Sequence, residues 1–438
     1  MDNGFVYIET YGCSANQNNS EILKGILKSG GYEITNNEKI ADIIIINSCI
    51  VKGKTENKIK RRIQDLKKLY RSKTFVVTGC MPETNSEDIK KLNRDTLLLG
   101  THHLKDILNL LKDFKDNRLT EEKQKEYLSF KYEEKILINK IPQNKLISIT
   151  QISEGCLGNC SFCKVKLAKG RLFSYNPDRI LKSIKNDLDN GAKEVWLTSQ
   201  DCASYYLDKE GNQRKFPELL KKILSINKKF KLRIGMMNPN NLYPILKEII
   251  EIYKDPKVYK FLHIPIQSAS NKILKEMNRP YKIELVEEII NEFKKEIPNL
   301  TLSTDIIVGY PSETAEDHQL NLLFIKKFKP DVFNLSKFSK HKELKNNLNP
   351  LDKDIISKRT SELMEIHREN AYKNKEKFLN KKIEVFVNSK SKIPCVFESR
   401  DENYNIVLVE SKDKSLLGKF INVKIKNIGA HHMIGEII

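Results

Sequence analysis

A chain of 438 residues is too long for one ordinary domain and long enough to bury real cores, so two or three domains are expected. Hydrophobic residues make up 39% and charged residues 31%, which excludes disordered and fibrous classes, and no apolar run approaches the roughly 18 to 20 residues a membrane helix needs. Lys and Arg total 77 against 57 acids, a net charge of +20 that favours a polyanionic partner, most simply a nucleic acid, although heavy use of Lys, Asn and Ile also fits a compositional bias. The start, Met1-Asp2-Asn3-Gly4, lacks the basic and apolar segments of a signal peptide, so a cytoplasmic protein with no membrane partner is expected.

Residues 1–112 alternate short apolar runs with amphipathic stretches, the pattern of a βαβ parallel sheet. Phe5–Thr10, Ile43–Asn47 and Phe75–Thr78 read as strands, and Ser20–Ser29, Thr55–Tyr70, Ser86–Leu92 and Leu104–Leu111 as helices. Each strand is followed within a few residues by a cysteine: Cys13, Cys49 and Cys80. The C-termini of parallel strands share one edge, where such sheets bind ligands, so three cysteines far apart in sequence are expected to converge. Scattered core thiols are the plainer alternative.

Residues 113–141 are densely charged and read as a linker. Six strand candidates follow within residues 142–378: Leu146–Ile152, Glu194–Ser199, Phe230–Gly235, Phe261–Ile266, Leu300–Val308 and Val332–Phe338, with helices such as Pro177–Asn190 and Tyr281–Glu296 between them. Six β/α units predict a partial, open (β/α)6 barrel with its chemistry at the strand C-termini. A helical stretch over Asp352–Asn380 leads to residues 379–438, where Lys382–Asn388, Pro394–Ser399, Ile406–Val409 and Phe420–Ile425 suggest a small β-barrel. The fold class is α/β with that barrel appended.

Just after the first barrel strand, Cys156, Cys160 and Cys163 form Cys-x3-Cys-x2-Cys. Three thiolates on one glycine-containing loop suit a four-iron cluster, and the absence of a fourth nearby leaves one iron open for substrate or cofactor. The alternatives are zinc completed by a distant His, or three ordinary thiols. The front trio repeats the logic and predicts a second open-site cluster, facing the barrel mouth if the domains stack.

The Cys-x3-Cys-x2-Cys motif on a partial barrel resembles the radical S-adenosylmethionine superfamily. With Gly12-Cys13-Ser14, Asn47-Ser48-Cys49-Ile50-Val51-Lys52, Thr78-Gly79-Cys80-Met81-Pro82, His263-Ile264-Pro265-Ile266-Gln267-Ser268 and Thr304-Asp305-Ile306-Ile307-Val308-Gly309, the whole chain resembles the methylthiotransferases. Glu194-Val195-Trp196-Leu197-Thr198-Ser199-Gln200-Asp201 is similar to the archaeal and eukaryotic branch, which acts on N6-threonylcarbamoyladenosine beside the anticodon of transfer RNA. The resemblance implies two [4Fe-4S] clusters, S-adenosylmethionine, a tRNA partner, an electron donor, a sulfur donor, and a tail barrel of the RNA-binding TRAM type. It also implies two stages: methylation of a sulfur held at the front site, then radical removal of hydrogen from carbon 2 of the adenine and transfer of methylthio to it. Same-fold alternatives act on another adenosine or on a ribosomal protein side chain. A non-catalytic metal-bound RNA-binding protein is the reading from a different class.

Polar residues at barrel strand ends are the candidates for holding S-adenosylmethionine: Ser199, Gln200, Asp201, Arg233, Gln267 and Asp305. His263 fits packing at least as well as ligation. Ten basic residues between Lys52 and Lys73, and Lys164, Lys166, Lys169 and Arg171 after the second trio, are candidates for phosphate contacts. The sequence departs from the family pattern at Cys202, at Pro311-Ser312-Glu313-Thr314, and at Ser339-Lys340-His341-Lys342-Glu343.

Overall fold

The computed structural model describes residues 3–207, 215–340 and 349–438; the atypical segment at residues 341–343 lies outside them. Five parallel strands open the chain: β1 (Phe5–Thr10), β2 (Glu33–Thr35), β3 (Ile43–Ser48), β4 (Thr74–Gly79) and β5 (Leu97–Gly100), in the order β2-β1-β3-β4-β5. Ile44, Ile45, Val76 and Leu99 are fully buried, as expected of strands covered on both faces. The register pairs Thr10 with Asn47, Ser48 with Gly79 and Gly79 with Gly100, so the strand ends finish nearly level.

Helix α1 (Ser14–Ser29) starts directly after Cys13, six residues before the predicted start, while α2 spans Gly53–Leu69 and α3 spans Met81–Leu92. The polar start of α1 is held by hydrogen bonds of Asn16 and Asn47. Asn16 Nδ2 donates to the carbonyls of Tyr11 and Ser48, both at 2.8 Å, and Asn47 Nδ2 donates to the Asn16 carbonyl at 2.7 Å. Tertiary hydrogen bonds thus override weak helix propensity.

The central unit contains β6 (Ile147–Gln151), β7 (Ser153–Glu154), β8 (Phe173–Ser174), β9 (Glu194–Thr198), β10 (Lys231–Arg233), β11 (Phe261–His263), β12 (Thr301–Val308) and β13 (Val332–Lys337). The parallel ladders β6-β9-β10 and β11-β12-β13 are joined where Tyr259 N–H donates to the Leu232 carbonyl at 2.9 Å, giving the expected open arc of six. Strand β11 stops at His263, short of the expected Ile266, because Pro265 has no N–H for a ladder. Leu197, Leu232, Leu262 and Ile306 bury one strand face against helical residues such as Ile184, Ile223 and Ile289.

Residues 113–141 are strapped to their neighbours. A short helix, Glu121–Glu126, lets Gln124 cap the free edge of β5, donating to the Leu98 carbonyl at 2.6 Å and accepting from its N–H at 3.1 Å. Helix α1 packs on β6, and Ile141 N–H donates to the Glu21 carbonyl at 2.9 Å. After the helix Lys353–Glu376, β14 (Lys382–Lys390), β15 (Val396–Arg400), β16 (Ile406–Glu410), β17 (Phe420–Ile428) and β18 (Met433–Ile437) close a barrel in the order β14-β15-β16-β18-β17, one strand more than expected. Among the described residues no helix is long and apolar enough to cross a membrane.

Candidate active site

The level strand ends bring the front cysteines together. A Cβ built on Gly12 would lie 2.9 Å from Cys49 Sγ, and Gly12 sits at φ +107°, so glycine is required both for space and for backbone conformation. Cys13 and Cys49 both act electrostatically on Cys80. Cys13 occupies the N-cap of α1 and Cys80 that of α3, so two helix N-termini aim their dipoles at the site, a placement suited to an anionic group. Cys13 is exposed while Cys49 and Cys80 are buried; burial pushes the Cys80 thiol up to about 12, with Lys169 pulling the other way. The hydroxyl of Ser14 meets that of Thr198, at the end of β9, at 3.0 Å. The front trio therefore faces the C-terminal end of the barrel strands.

The second trio lies on the loop that follows β7. Gly155, at φ +82°, lets this loop pass so close to its return strand that a Cβ would fall 2.0 Å from the Arg171 carbonyl. Gly158 N–H donates to Cys156 Sγ at 3.2 Å, and a Cβ on Gly158 would stand 3.3 Å from that sulfur and 3.7 Å from Cys160 Sγ. Sequence reasoning missed Arg279, whose Nη1 donates to Cys160 Sγ at 3.2 Å. Its other donors reach Tyr281 Oη at 2.9 Å, Asn238 Oδ1 at 3.3 Å and the Pro265 carbonyl at 3.2 Å. The guanidinium thus ties the cysteine loop to two barrel strand ends. No spacing marks Arg279, which sits in a turn after the helix Asn271–Glu276.

The six strand-end candidates divide by location. Gln200 Oε1 accepts from Gly155 N–H at 2.8 Å and so braces the cysteine loop. Asp201 is buried and pushed up by desolvation; its carboxylate accepts from Ala203 N–H at 3.1 Å, Asn238 N–H at 3.0 Å and Asn241 Nδ2 at 2.7 Å while acting electrostatically on Cys156. Ser199 Oγ accepts from Asp201 N–H at 3.1 Å and contacts Cys202 Sγ at 3.5 Å. Gln267, at φ +67°, stitches its backbone to Asp305 and Ile307. Asp305 pairs with His263 Nε2 at 2.5 Å, both partly exposed. Arg233 lies elsewhere: its guanidinium stands 5.1 to 5.5 Å from the ring centres of Trp196, Phe261 and Tyr404.

Two of the basic groups differ from expectation. Lys164 is buried with Asn85 Oδ1 at 3.1 Å and Glu56 at 3.6 Å, Lys166 Nζ donates to the Gly158 carbonyl at 2.9 Å, and Lys169 is buried against Glu154; only Arg171 of the four is exposed. Acidic residues and carbonyls in the interior take up these cations, which removes Lys164 and Lys169 from phosphate contact. On and beside α2, Lys60 pairs with Glu56 and Asp88, Arg62 with Glu9 and Glu38, and Lys73 with backbone carbonyls. The other seven of its ten basic residues are exposed.

Among the described residues no three His, Cys, Asp or Glu side chains converge on one metal-ion position. The donor sets fit a cluster: two all-sulfur trios, one with the Gly158 gap between sulfurs and a cation donating to a ligand, the other at helix N-termini. An open six-strand arc with Cys-x3-Cys-x2-Cys after its first strand defines a radical S-adenosylmethionine enzyme, and the model of the Radical SAM superfamily matches residues 150–324. That of the uncharacterized protein family UPF0004 matches residues 5–100. Similar proteins include the probable threonylcarbamoyladenosine tRNA methylthiotransferases of Pyrococcus horikoshii, 35% identical over 99% of both chains, and Methanocaldococcus jannaschii, 36% identical over 99% of this chain and 97% of the relative. The threonylcarbamoyladenosine tRNA methylthiotransferase of Homo sapiens is 31% identical over 98% of this chain and 73% of its own. The radical S-adenosylmethionine methyltransferase TsrM from Kitasatospora setae shares the fold at a TM-score of 0.54 and 12% identity, over 76% of this chain and 72% of that one. The chain belongs to the threonylcarbamoyladenosine tRNA methylthiotransferase family.

Proposed function

We infer that this chain is a radical S-adenosylmethionine enzyme that converts N6-threonylcarbamoyladenosine of transfer RNA to its 2-methylthio derivative. The observation that carries the reading is the Ser14–Thr198 contact at 3.0 Å, which sets the residue after Cys13 against the end of β9, the strand paired with the β6 that leads into the second cysteine loop. When bound, the two four-iron clusters and S-adenosylmethionine would supply the sulfur, its methyl group and the radical that takes the hydrogen from carbon 2 of the adenine. Cys13, Cys49 and Cys80 would hold the front cluster, and Cys156, Cys160 and Cys163 the second.

The remaining residues position and protect. Gln200, Arg279 and Lys166 fix the second cysteine loop from three sides. Ser199, Asp201, Gln267 and Asp305 are proposed to line the cofactor side of the mouth, and Asp305 and His263 offer it a paired acid and imidazole. The arrangement of Asp201 favours an indirect part, since three protein donors already use its carboxylate. Arg233 is proposed to contribute through packing below the mouth. The partners this reaction needs are tRNA, an electron donor and a sulfur donor. A cytoplasmic location is supported by eight cysteines that are all free.

The test is mass spectrometry of nucleosides from tRNA bearing threonylcarbamoyladenosine, incubated anaerobically with reconstituted protein, S-adenosylmethionine, reductant and sulfide. A methylthio increment on that nucleoside, absent with Cys156→Ala, is the expected result. Deoxyadenosine without the increment would place the substrate elsewhere. Cys13→Ala is expected to keep uncoupled cofactor cleavage while losing the increment.

A further inference from the structure

A buried ionic network drawn from five segments adjoins the cysteines, with Glu154 two residues before Cys156 and Lys169 acting electrostatically on Cys13 and Cys80. Lys169 Nζ donates to Glu154 Oε1 at 2.7 Å and to Thr101 Oγ1, and Lys135 Nζ binds both Glu154 oxygens at 2.6 and 2.7 Å. The three charged side chains are only 2 to 4% exposed. His102 Nε2 meets the Ala168 carbonyl at 3.0 Å, and burial pushes its pKa down to about 4, so it stays neutral. Glu83, which accepts from Thr101 N–H at 2.7 Å, is pushed up by burial to about 7 and is only partly ionised at neutrality.

Two lysines, of which burial pushes Lys135 down to about 8, therefore share one full carboxylate and the partly ionised Glu83, which leaves a positive surplus centred on Lys169. An unbalanced charge is costly in an interior, and a fold that keeps one needs a compensating anion. The direction of the surplus is set by geometry. Lys169 ends the helix Val165–Lys169, which leaves the second cysteine loop and packs on α3, the helix that starts at Cys80. Ala168 and Cys80 share one hydrophobic cluster. Lys169 acts electrostatically on Cys13, Cys49 and Cys80, and Lys135 on Cys80 as well.

We propose that Lys169 is the counter-charge of the front site, a positioning residue that holds the anionic sulfur-bearing group on Cys13, Cys49 and Cys80 and raises its reduction potential. Glu154 orients Lys169 and limits its effect. Net charge near a cluster is one of the levers on its potential, so the two residues are expected to act with opposite sign. The inference rests on the two-cluster reading above.

The test uses the full chain with Cys156→Ala, so that only the front cysteines assemble a cluster, and reads its midpoint potential and its retention of added sulfide. Lys169→Met is expected to move the potential negative and to weaken sulfide retention by about tenfold, the scale of one charge–charge interaction across roughly 10 Å of protein interior. Lys169→Arg restores both, and Glu154→Gln moves the potential positive. Shifts of the same sign in Lys169→Met and Glu154→Gln, or no shift in either, overturn the proposal, because a merely structural role gives such results. If Lys169→Met takes up no iron, the sign for Glu154→Gln decides alone. A Cys156→Ala protein that assembles no cluster with Lys169 intact refutes the two-cluster reading instead.

Discussion

Arg279 shows how a single side chain can be invisible in sequence and central in space. It is half-buried, carries a fixed charge, and divides its donors among a cysteine sulfur, a hydroxyl, an amide oxygen and a carbonyl. A planar fork can serve four such acceptors; an ammonium cannot. Arg279→Lys is therefore expected to keep the charge near Cys160 but loosen the loop, and Arg279→Met to lose both. Redox titration in a Cys13→Ala background should show the second cluster's potential falling further in Arg279→Met than in Arg279→Lys, and equal potentials would refute this division. The placement of the six cysteines was legible because strand ends and short spacing fix where thiols go. Arg279 was not, because its role depends on a turn 119 residues away in the chain from Cys160. Lys164 and Lys169 misled for the same reason: a basic residue beside a motif reads as a surface cation until a distant Glu56 or Glu154 is seen to claim it.

At the scale of elements, α2 sorts its residues by face. Ile59, Ile63 and Leu66 are buried, as the 3.6-residue period requires, and the opposite side is cationic. Lys54, Arg61 and Lys68, seven residues apart, form one exposed stripe running from the front cysteines. The stripe supports a role in guiding tRNA phosphates. Replacing all three with Ala is expected to weaken tRNA binding and to flatten the slope of log affinity against log salt by about 2, since each phosphate contact contributes roughly 0.7 to 0.9. Cofactor cleavage without tRNA should be unchanged. An unaltered salt slope would make the stripe a solvated face and nothing more. The four helices and three of the five strands of the front sheet were readable from periodicity, yet β2 and β5 were not, since three or four residues carry too little pattern.

For the whole molecule, the tail barrel is part of the core's structure rather than a tethered appendage. Its contacts gather at the starts of the central strands, opposite the cysteines. Lys193 Nζ donates to the Gly418 carbonyl at 2.9 Å, Asn388 Nδ2 to Glu194 at 3.0 Å, and Lys260 N–H to the Glu402 carbonyl at 2.9 Å. Tyr404 enters between the rings of Tyr259 and Phe261, at 4.9 and 5.1 Å, and comes within 6.3 Å of Trp196, while Arg233 and Arg400 stack on it. The tail thus packs across the end of the barrel opposite the cysteines. Tyr404→Ala removes the shared ring from this cage and is expected to cost about 3 kcal/mol, in the range of aromatic truncations in cores. Trp196 is the only tryptophan, so its fluorescence reports on this packing directly. A red shift with a lower melting temperature is expected for Tyr404→Ala, and a larger change for a chain ending at residue 378. An appendage that only binds RNA would leave both the emission and the melting temperature where they were, and lose tRNA affinity alone.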